Sequence, residues 1–450
     1  MSATEERSVA VEGGRRNGAR DGSRDGALDG SRDGALRAAL PRILWPEGTA
    51  ADASLDAHLR RHGPMPLLRG QRELDRLWEE TAHAGILGRG GAGFPLFRKL
   101  RSVSPRGRSP VVVANGTEGE PASDKDKVLL LQSPHLVFDG IQAAARLIGA
   151  TRAYLVAPDE VLPALESALD ERHRAGGIPV DVVPAARGFV AGEASAVVSW
   201  VERGPALPRP TPPRLVESGL SKRPTLVQNV ETLAHLALVA RHGAEWYRSA
   251  GTPEEPGTML VTFSGAFAHR GVQEVAMGTP LTALLDVGGA RSEQLGALLL
   301  GGYSAAWVRP QDVEHLFLSR ESLRQVGASP GAGIVAALPR ERCGLVETAR
   351  VAHYLAGQSA GQCGACVFGL SAVAVELDAL ALSGQGDPAL VRRWTQQLDG
   401  RGACAHPDGA ARFVRSALEV FADEVENHRK GWCSGSSEEP VLALPGKRRR

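Results

Sequence analysis

The sequence predicts three folded parts: an α/β domain, a small α+β module and a C-terminal bundle of about four helices. Three observations support this prediction. Apolar runs alternate with segments of helical periodicity over residues 65–250, short strands separated by glycine turns follow over 256–310, and helical segments succeed one another over 340–432. A chain of 450 residues is long enough for several domains, each with its own hydrophobic core.

The first part shows the alternation that is typical of a doubly wound sheet. The runs SPVVVANGTEGE and RAYLVAP are short, apolar and end in polar turns, which indicates buried parallel strands. The segments HLVFDGIQAAARLIGA, EVLPALESALDERHRAG and VETLAHLALVARHGAEWYRSAG carry the period of amphipathic helices. We therefore expect a parallel sheet with helices on its faces.

The next two parts differ in their patterns. GTMLVTFSGAF, GVQEVAMG and GALLLGGY read as strands around the helical piece PLTALLDVGG, so the module is predicted to end near Arg309. From Leu345 onward helical segments follow, with Cys363 and Cys366 in the connection after the first and Cys404 in the connection before the last. Because these connections lie at the same end of an up-and-down bundle, we expect the three thiols to meet.

Both ends of the chain are predicted to be tails. The motif DGSRDGAL occurs twice in tandem within residues 1–38, a segment too poor in core-forming side chains to fold alone, so we expect it to be disordered. The end of the chain, GSSEEPVLALPGKRRR, has a basic tip. We expect residues 433–450 to form a flexible tail.

Charge and composition limit the class of protein. The net charge of +1 gives no indication of a nucleic-acid partner. We expect no apolar run to reach the roughly 18 residues that span a bilayer, and no signal peptide is evident. Five cysteines, a small and odd number, argue against a disulfide framework. The sequence predicts a cytoplasmic protein without direct membrane insertion, peripheral to a membrane only through a partner complex.

The stretch GILGRGGAGFPLFRKL, residues 85–100, is the most informative part of the sequence. Five glycines fall within nine residues, which lets backbone N–H groups converge on an anion, and Lys99 adds a full positive charge. The spacing matches neither the dinucleotide-binding fingerprint nor the P-loop. On its own, the stretch indicates a flexible loop as readily as a phosphate-binding loop.

Taken in order, the motifs resemble the NADH-binding flavoprotein subunit of respiratory complex I and the related diaphorase subunits of NAD-linked hydrogenases and formate dehydrogenases. GRGGAGFP is followed by a lysine four residues on, and then by NGTEGEP, KDK, GFVAGEASA and PTLVQNVETLA. SGAFAHRGVQEVAMGTPLTALLDVGG comes next, and SAGQCGAC and GRGACAHPDGAA stand near the end. The resemblance extends over roughly residues 65–430 in unbroken order.

The resemblance implies FMN bound to the α/β domain, NADH as the substrate and an SLBB-like β-grasp fold for the middle module. Glu118 and Glu193 are then the catalytic carboxylates nearest the flavin. Phe94 and Glu120 are expected to face NADH. The full set of expected cofactor-binding residues is Gly88, Arg89, Gly90, Gly91, Ala92, Phe94, Lys99, Asn115, Gly119, Glu120, Phe189, Gly192 and Asn229.

Several positions depart from the family pattern around the nicotinamide nucleotide. Ala194 stands where a second carboxylate is common, Thr117 where Asp is usual and Leu100 where an aromatic residue is usual. The loop TPPR, ending at Arg214, lacks the lysine and the aromatic of the family. Two alternatives to NADH oxidation therefore stay open: a flavin and iron–sulfur protein that exchanges electrons with ferredoxin, and a non-catalytic subunit of a redox complex.

The resemblance also implies a [4Fe–4S] cluster, but one of its four cysteines is missing. Cys363, Cys366 and Cys404 match three ligands, and Ala360 stands at the first position. The open alternatives are a four-iron cluster completed by water, an exogenous ligand or His406, a [3Fe–4S] cluster, free thiols, or a zinc ion held by the three cysteines and His406.

Two further expectations concern the surroundings of this cluster. Cys343 lies about 25 Å from Ala360 along a continuous helix, which makes it a poor substitute for the missing ligand. The resemblance implies a thioredoxin-like [2Fe–2S] subunit or a ferredoxin as the partner that exchanges electrons with this chain.

Overall fold

The computed structural model describes most of the chain after its N-terminal segment. The described residues are 40–66, 68, 70–103, 108–172, 176–209, 212–433, 435 and 440–445. The segment 1–38, predicted to be disordered, lies outside the described residues.

The first part of the fold is an α/β domain with a parallel sheet, as predicted. Its strands are β1 (Val111–Asn115), β2 (Ala153–Ala157), β3 (Val180–Pro184) and β4 (Thr225–Asn229), in the order β3-β2-β1-β4. Its helices are α1 (Leu55–His62), α2 (Gln71–Ala84), α3 (Leu96–Ser102), α4 (Lys125–Gln132), α5 (Pro134–Ile148), α6 (Leu162–Arg172), α7 (Ala194–Val201) and α8 (Val230–Arg248).

Packing in this domain fixes where the ends of the strands lie. Helix α5 is apolar on nearly all sides and packs against α8, so both helices are largely buried. The register of β1 and β4 pairs Val113 with Val227 inside the sheet and Asn115 with Asn229 at its edge. The carboxyl ends of parallel strands, where ligands of open α/β sheets bind, therefore carry two adjacent amide side chains.

A second sheet follows, and its strand order shows that the module predicted over 256–310 extends further along the chain. Its elements are β5 (Thr258–Gly265), β6 (Gly271–Ala276), α9 (Leu281–Gly288), β7 (Leu295–Leu300), β8 (Ala306–Val308), α10 (Arg320–Arg324) and β9 (Ile334–Pro339). The strand order is β6-β5-β9-β7-β8, with β9 parallel to β5 and antiparallel to β7. The predicted module 256–310 is therefore too short, because it omits the central strand. That strand is apolar along its length, as a strand with neighbours on both sides should be.

The last part of the fold is helical and shares a core with the second sheet. Its elements are α11 (Gly344–Gly357), a π-helical turn (Ala365–Leu370), α12 (Ser371–Ser383), α13 (Pro388–Leu398), α14 (His406–Val420) and α15 (Ala422–Arg429). Trp307 of β8 is buried, and its ring lies 6.1 Å from that of Phe413 and 5.2 Å from that of Phe421. The helices therefore have a fixed position against the sheet.

The described residues near the C-terminus pack against α11, which differs from the flexible tail predicted over 433–450. Leu442 is buried, and its backbone N–H donates to the Glu347 carboxylate at 3.0 Å. Tyr303 donates its hydroxyl hydrogen to the carbonyl of Ala443. The apolar residues of VLAL supply the surface for this packing, and the prediction gave them too little weight.

One helical stretch, Ala365–Ser383, is long and apolar enough by length and composition to cross a membrane. The expectation that no apolar run reaches about 18 residues is therefore wrong for this stretch. One side of it packs into the helical core through residues such as Leu377 and Leu380. The opposite side leaves Phe368 and Leu382 exposed.

Candidate functional site

A cavity of about 850 Å³ opens beside the glycine-rich loop. Its wall includes Phe94 and Lys99 from the loop and α3, Glu193 at the start of α7, and Cys404 before α14. Its volume falls in the range of sites for small molecules and cofactors. One cavity therefore contacts side chains predicted for the flavin, for the nicotinamide nucleotide and for the iron–sulfur cluster.

The glycine-rich loop forms a narrow turn that closes on itself. The N–H of Gly88 donates to the Phe94 carbonyl at 3.0 Å, and the N–H of Leu96 donates to that of Ile86 at 2.9 Å. Within the turn, Gly91 has a φ of +104°, a conformation that other residues rarely adopt. The other predicted residues at its tip, Gly90 and Ala92, are exposed. The loop can therefore contact a ligand through backbone groups rather than through side chains.

Lys99 is the cation that the described part of α3 presents to the cavity. Its ammonium has no hydrogen bond or ion pair with any residue in the described ranges, and burial lowers its pKa to about 8. An ammonium ion taken from water without a counterion is unfavourable, so the site is completed when an anion binds. A phosphate group fits this requirement, which matches the predicted position of the FMN phosphate.

The two predicted catalytic carboxylates both accept hydrogen bonds at helix N-termini, but only one lines the cavity. Glu118 accepts from the Ser123 hydroxyl at 2.6 Å and from two backbone N–H groups at the start of α4. Burial and the nearby charge of Asp126 raise the pKa of Glu118 to about 7. Glu193 accepts from two backbone N–H groups of α7 and faces the cavity. Of the two, Glu193 has the position to contact a ligand.

The remaining residues predicted at the strand ends are in mutual contact. Asn115 donates to the carbonyl of Gly192 at 3.0 Å, and Asn229 donates to the carbonyl of Asn115 at 3.3 Å. A Cβ atom at Gly119 would lie 2.6 Å from the carbonyl oxygen of Phe189, so the two turns approach as closely as glycine permits. The structure brings these five residues together.

Two predicted cofactor-binding residues have side chains that contact other parts of the fold. Arg89 is buried, and its guanidinium donates to the carbonyl of Pro256 at 3.4 Å. The carboxylate of Glu120 accepts from the N–H of Tyr303 at 3.2 Å, and burial raises its pKa to about 8. Neither side chain is part of the cavity wall. Both belong to the contact between the α/β domain and the second sheet.

A buried charged network that the sequence analysis did not assign supports Asn229. The Lys125 ammonium lies 2.7 Å from the Asp126 carboxylate and 2.9 Å from that of Glu231. Asn229 donates to Asp126 at 2.7 Å. Burial alone would raise the pKa of Glu231, but the charge of Lys125 lowers it to about 2. The KDK motif indicated such a network, since Lys125 and Asp126 are both buried and buried charges need partners.

The opposite wall of the cavity carries cations that the sequence analysis also missed, apart from Arg214. Arg209 pairs with Glu202, and Arg214 pairs with Glu217 at 2.7 Å. Lys222 lies in a turn with a φ of +59° and has no ion-pair partner among the residues that the structure describes. The first residue of the TPPR loop, Thr211, lies outside the described residues, as does Pro210 before it. The wall as described suits a second anionic group.

The three predicted cluster cysteines come together at one end of the helical part, where Cys404 also faces the cavity. Burial acts to raise the pKa of Cys363, but backbone N–H groups, that of Ala403 first, lower it below its ordinary value. Burial and the neighbouring Cys363 raise the pKa of Cys366 to about 12. Thiols this close together, with N–H groups directed at a sulfur, fit an iron–sulfur cluster.

The position of the missing ligand is held by Ala360, and His406 lies in the same region. The imidazole of His406 is buried, its Nε2 lies 2.8 Å from the Leu355 carbonyl, and its Nδ1 has no partner within the described part of the chain. In the described ranges, the three cysteines and His406 include no group of three donors within 4.8 Å of one another. This spacing disfavours a single zinc ion and fits thiolates that bind different irons.

Comparisons with known proteins identify the family and its two cofactor-binding regions. The model of the Nuo51 FMN-binding domain matches residues 81–238, and that of the NADH-ubiquinone oxidoreductase-F iron-sulfur binding region matches 347–428. The F subunit of NADH-quinone oxidoreductase from Streptomyces coelicolor is 30% identical over 398 residues, 84% of this chain and 88% of that protein. The F 2 subunit of the Rhizobium meliloti enzyme is 29% identical over 379 residues, 80% of this chain and 90% of that protein.

A solved structure has a similar fold over most of this chain. The air-oxidised NAD+-reducing [NiFe]-hydrogenase contains a chain with a TM-score of 0.76 and 27% identity, with 92% of this chain and 75% of that chain covered. The matches confirm the predicted resemblance and the FMN and iron–sulfur cofactors. Together they show that the chain belongs to the family of NADH-quinone oxidoreductase F subunits, an oxidoreductase family.

Proposed function

We propose that this chain oxidises NADH with FMN bound in the cavity and passes the electrons through an iron–sulfur cluster to a partner subunit. The observation that carries the proposal is the single cavity wall that joins Lys99, Glu193 and Cys404. When bound, the flavin supplies hydride acceptance and the cluster supplies one-electron transfer. The family membership supports both cofactors.

The side chains of the cavity have distinct tasks in this proposal. Lys99 neutralises the phosphate of the flavin, because it is a half-buried cation without a partner among the described residues. Glu193 is held in place by the N–H groups of α7 and presents a carboxylate to the ring system. Phe94 is 53% exposed and offers an apolar ring face for stacking. Lys222 on the opposite wall serves the pyrophosphate of NADH.

The cavity and one of the thiols adjoin in this arrangement, because Glu193 and Cys404 both line the cavity wall. After burial, the charge of Glu193 is among the causes that raise the pKa of the Cys404 thiol. The ring of Phe189 lies 5.3 Å from that of His406 and 6.4 Å from that of Tyr354. Closely packed side chains thus fill the region between the flavin-side turn and the cysteine loops.

We assign the vacant corner of the cluster to His406. If Nε2 carries the hydrogen and donates it to the Leu355 carbonyl, Nδ1 keeps a free lone pair. A ligand histidine typically has its other ring nitrogen fixed by such a hydrogen bond. Cys363, Cys366 and Cys404 supply the remaining three ligands.

The partner is proposed to dock on the exposed face formed by α12 and the π-helical turn before it. Phe368 of that turn and Val375 and Leu382 of α12 stand seven residues apart in sequence and are 75%, 65% and 76% exposed. Phe368 follows Cys366 by two residues, so this face begins beside the cluster site. The relatives are named as subunits of larger oxidoreductases. A thioredoxin-like [2Fe–2S] subunit or a ferredoxin fits a face that is apolar and next to a one-electron carrier.

The second sheet is proposed to be the SLBB-like β-grasp module. Numbered within the module, its strands lie in the order second, first, fifth, third, fourth. The helix α9 between the second and third strands packs its apolar side into the core below the sheet. The proposed module extends from residue 256 to residue 339.

The test of the function is an anaerobic titration of the full-length protein with NADH, followed by flavin absorbance. We expect NADH to bleach the flavin, and we expect Lys222→Gln to raise the NADH concentration for half-bleaching about tenfold with flavin content unchanged, since one charge-assisted contact is worth about 1.4 kcal/mol or more. Lys430→Gln, at an exposed lysine of the last helix turn, is the matched control. A flavin that dithionite bleaches and NADH does not would favour the ferredoxin-linked alternative.

A further inference from the structure

A second group of metal-binding side chains lies at the N-terminal end of α11. The sulfur of Cys343 lies 3.0 Å from a Glu424 carboxylate oxygen and 3.3 Å from Nε2 of His428. The ligand atoms of Cys343, His428 and Cys433 all lie within 4.8 Å of one another. No other set of three His, Cys, Asp or Glu donors is this close in the described ranges.

The local sequence accounts for this convergence. Glu424 and His428 are four residues apart on α15 and so share one face of that helix. Cys433 follows the end of the helix, where the chain turns back towards the first residue of α11. A Cβ atom at Gly435 would lie 2.6 Å from the backbone nitrogen of Cys343, so the close approach of this segment requires glycine.

The donor set has the composition of a structural zinc site. Two thiols and one imidazole converge, a carboxylate lies beside one of the thiols, and zinc prefers four-coordinate sites with sulfur and nitrogen ligands. The usual bond lengths place tetrahedral zinc ligands about 3.4–3.8 Å apart. The separations of 3.0 Å and 3.3 Å from the Cys343 sulfur are within a few tenths of an ångström of that range.

We propose that Cys343, His428 and Cys433 bind one zinc ion, and that the Glu424 carboxylate, which lies beside the Cys343 sulfur, turns towards the metal as the fourth ligand. On binding, the two thiols lose their protons to solvent, and the hydrogen bond between Cys343 and Glu424 is replaced by bonds to the metal. The site is separate from the iron–sulfur site, because α11 is 14 residues long and spans about 20 Å. It fastens α15 and the segment after it to the junction between β9 and α11.

The test is a zinc measurement on full-length protein purified without oxygen. To keep zinc away from the cluster cysteines, the measurement uses the combined Cys363→Ser, Cys366→Ser and Cys404→Ser variant, with the wild type alongside it. We expect about one zinc per chain in both. Adding Cys433→Ser, at an exposed position that leaves the core intact, should weaken zinc binding at least tenfold in a competition with a chelator.

Matched controls separate ligation from general damage. Glu426→Gln changes an exposed carboxylate on the same helix, and His353→Gln changes an exposed imidazole on α11, so both should keep their zinc. Cobalt added to the zinc-free protein should give a thiolate-to-cobalt absorption band that Cys433→Ser weakens. Zinc content that is unchanged by Cys433→Ser, absence of zinc with all thiols titratable, or a Cys343–Cys433 disulfide in the anaerobic protein would each overturn the proposal. If the combined variant does not fold, Cys433→Ser in the wild type gives the same comparison.

Discussion

The cavity has a flavin side, which carries Lys99 and Glu193, and a thiol side, which carries Cys404. The two sides differ in how many of the expected ligand groups this chain supplies. On the flavin side, Lys99 is a half-buried cation with no partner among the described residues, so an anion would balance its charge. On the thiol side, three cysteines converge and Ala360 occupies the fourth position. We therefore expect flavin binding to depend strongly on Lys99, and cluster binding to depend less on a cysteine at position 360.

The physical reason for this difference lies in what can replace a missing group. An ammonium that is largely removed from water and has no counterion carries a desolvation cost that a bound anion offsets. An iron with one missing thiolate can accept an imidazole, and His406 has an unpartnered Nδ1 nearby in the described part of the fold. Under the proposed function, we therefore expect the absence of a cysteine at position 360 to be tolerated and the loss of Lys99 to impair flavin binding.

The largest effect is expected from Lys99→Ala, which removes the cation assigned to the flavin phosphate. A charge-assisted hydrogen bond contributes about 1.5–3 kcal/mol, so flavin affinity should fall by roughly 10- to 100-fold. Fluorescence titration of the apoprotein with FMN measures this change. Arg101→Ala removes an exposed cation from the same helix and should leave the affinity as it is. Equal affinity in wild type and Lys99→Ala would show that another group binds the phosphate.

Much of the flavin side was predictable because its motifs are local. Asn115, Gly119 and Gly192 follow strands or precede helices directly, so a parallel sheet necessarily gathers them at one edge. Arg89 and Glu120 come from the same motifs, yet their side chains contact the second sheet. The sequence pattern places a residue on a loop but does not set the direction of its side chain.

The features that the sequence analysis missed depend on segments distant in the chain. Strand β9 enters the sheet between β5 and β7, and its pairing partners lie far from it in sequence. Cys343 was rejected as a cluster ligand on distance, and the structure places it beside His428 instead. Only the packing of α15 against α11 brings these two residues together, and periodicity carries no information about it.

An intermediate effect is expected from Ala360→Cys, which would make the thiol side complete. If the vacant corner limits assembly, the iron content should rise towards about four atoms per chain. His406→Ala should lower the iron content of the wild type and have little effect in the Ala360→Cys background, because a cysteine then fills the corner. Anaerobic iron and sulfide analysis measures both. Ser383→Cys, an added cysteine at the far end of α12, is the control.

If His406→Ala lowers iron equally in both backgrounds, the imidazole supports the fold of the loop and does not bind iron. If Ala360→Cys adds no iron to the wild type, the fourth position is either already filled by His406 or out of reach of residue 360. The His406→Ala background distinguishes the two, because a cysteine within reach restores iron there. Only equal loss in both backgrounds removes the proposed role of His406, and neither result bears on the flavin side. The two sides of the comparison can thus be tested independently.

The smallest effect is expected from Glu120→Gln, which tests whether this residue belongs to the cavity wall or to the contact with the second sheet. Burial raises its pKa from 4.5 to about 8 in the folded state. Between these values the unfolded chain has lost the proton and the folded protein retains it, so the folded state binds more protons. The free energy of unfolding therefore falls as pH rises from about 4.5 to 8.

Glutamine can still accept the hydrogen bond from the N–H of Tyr303, but it has no proton to lose. The Glu120→Gln apoprotein should therefore gain about 1–2 kcal/mol relative to wild type at pH 8 and little at pH 4.5, as measured by urea unfolding at both pH values. Glu79→Gln, on α2 and away from the second sheet, should show no such pH dependence. An equal stability difference at both pH values would mean that Glu120 is already ionised in the folded protein. The carboxylate would then be available to NADH, as the sequence predicts, and the contact with the second sheet would be secondary.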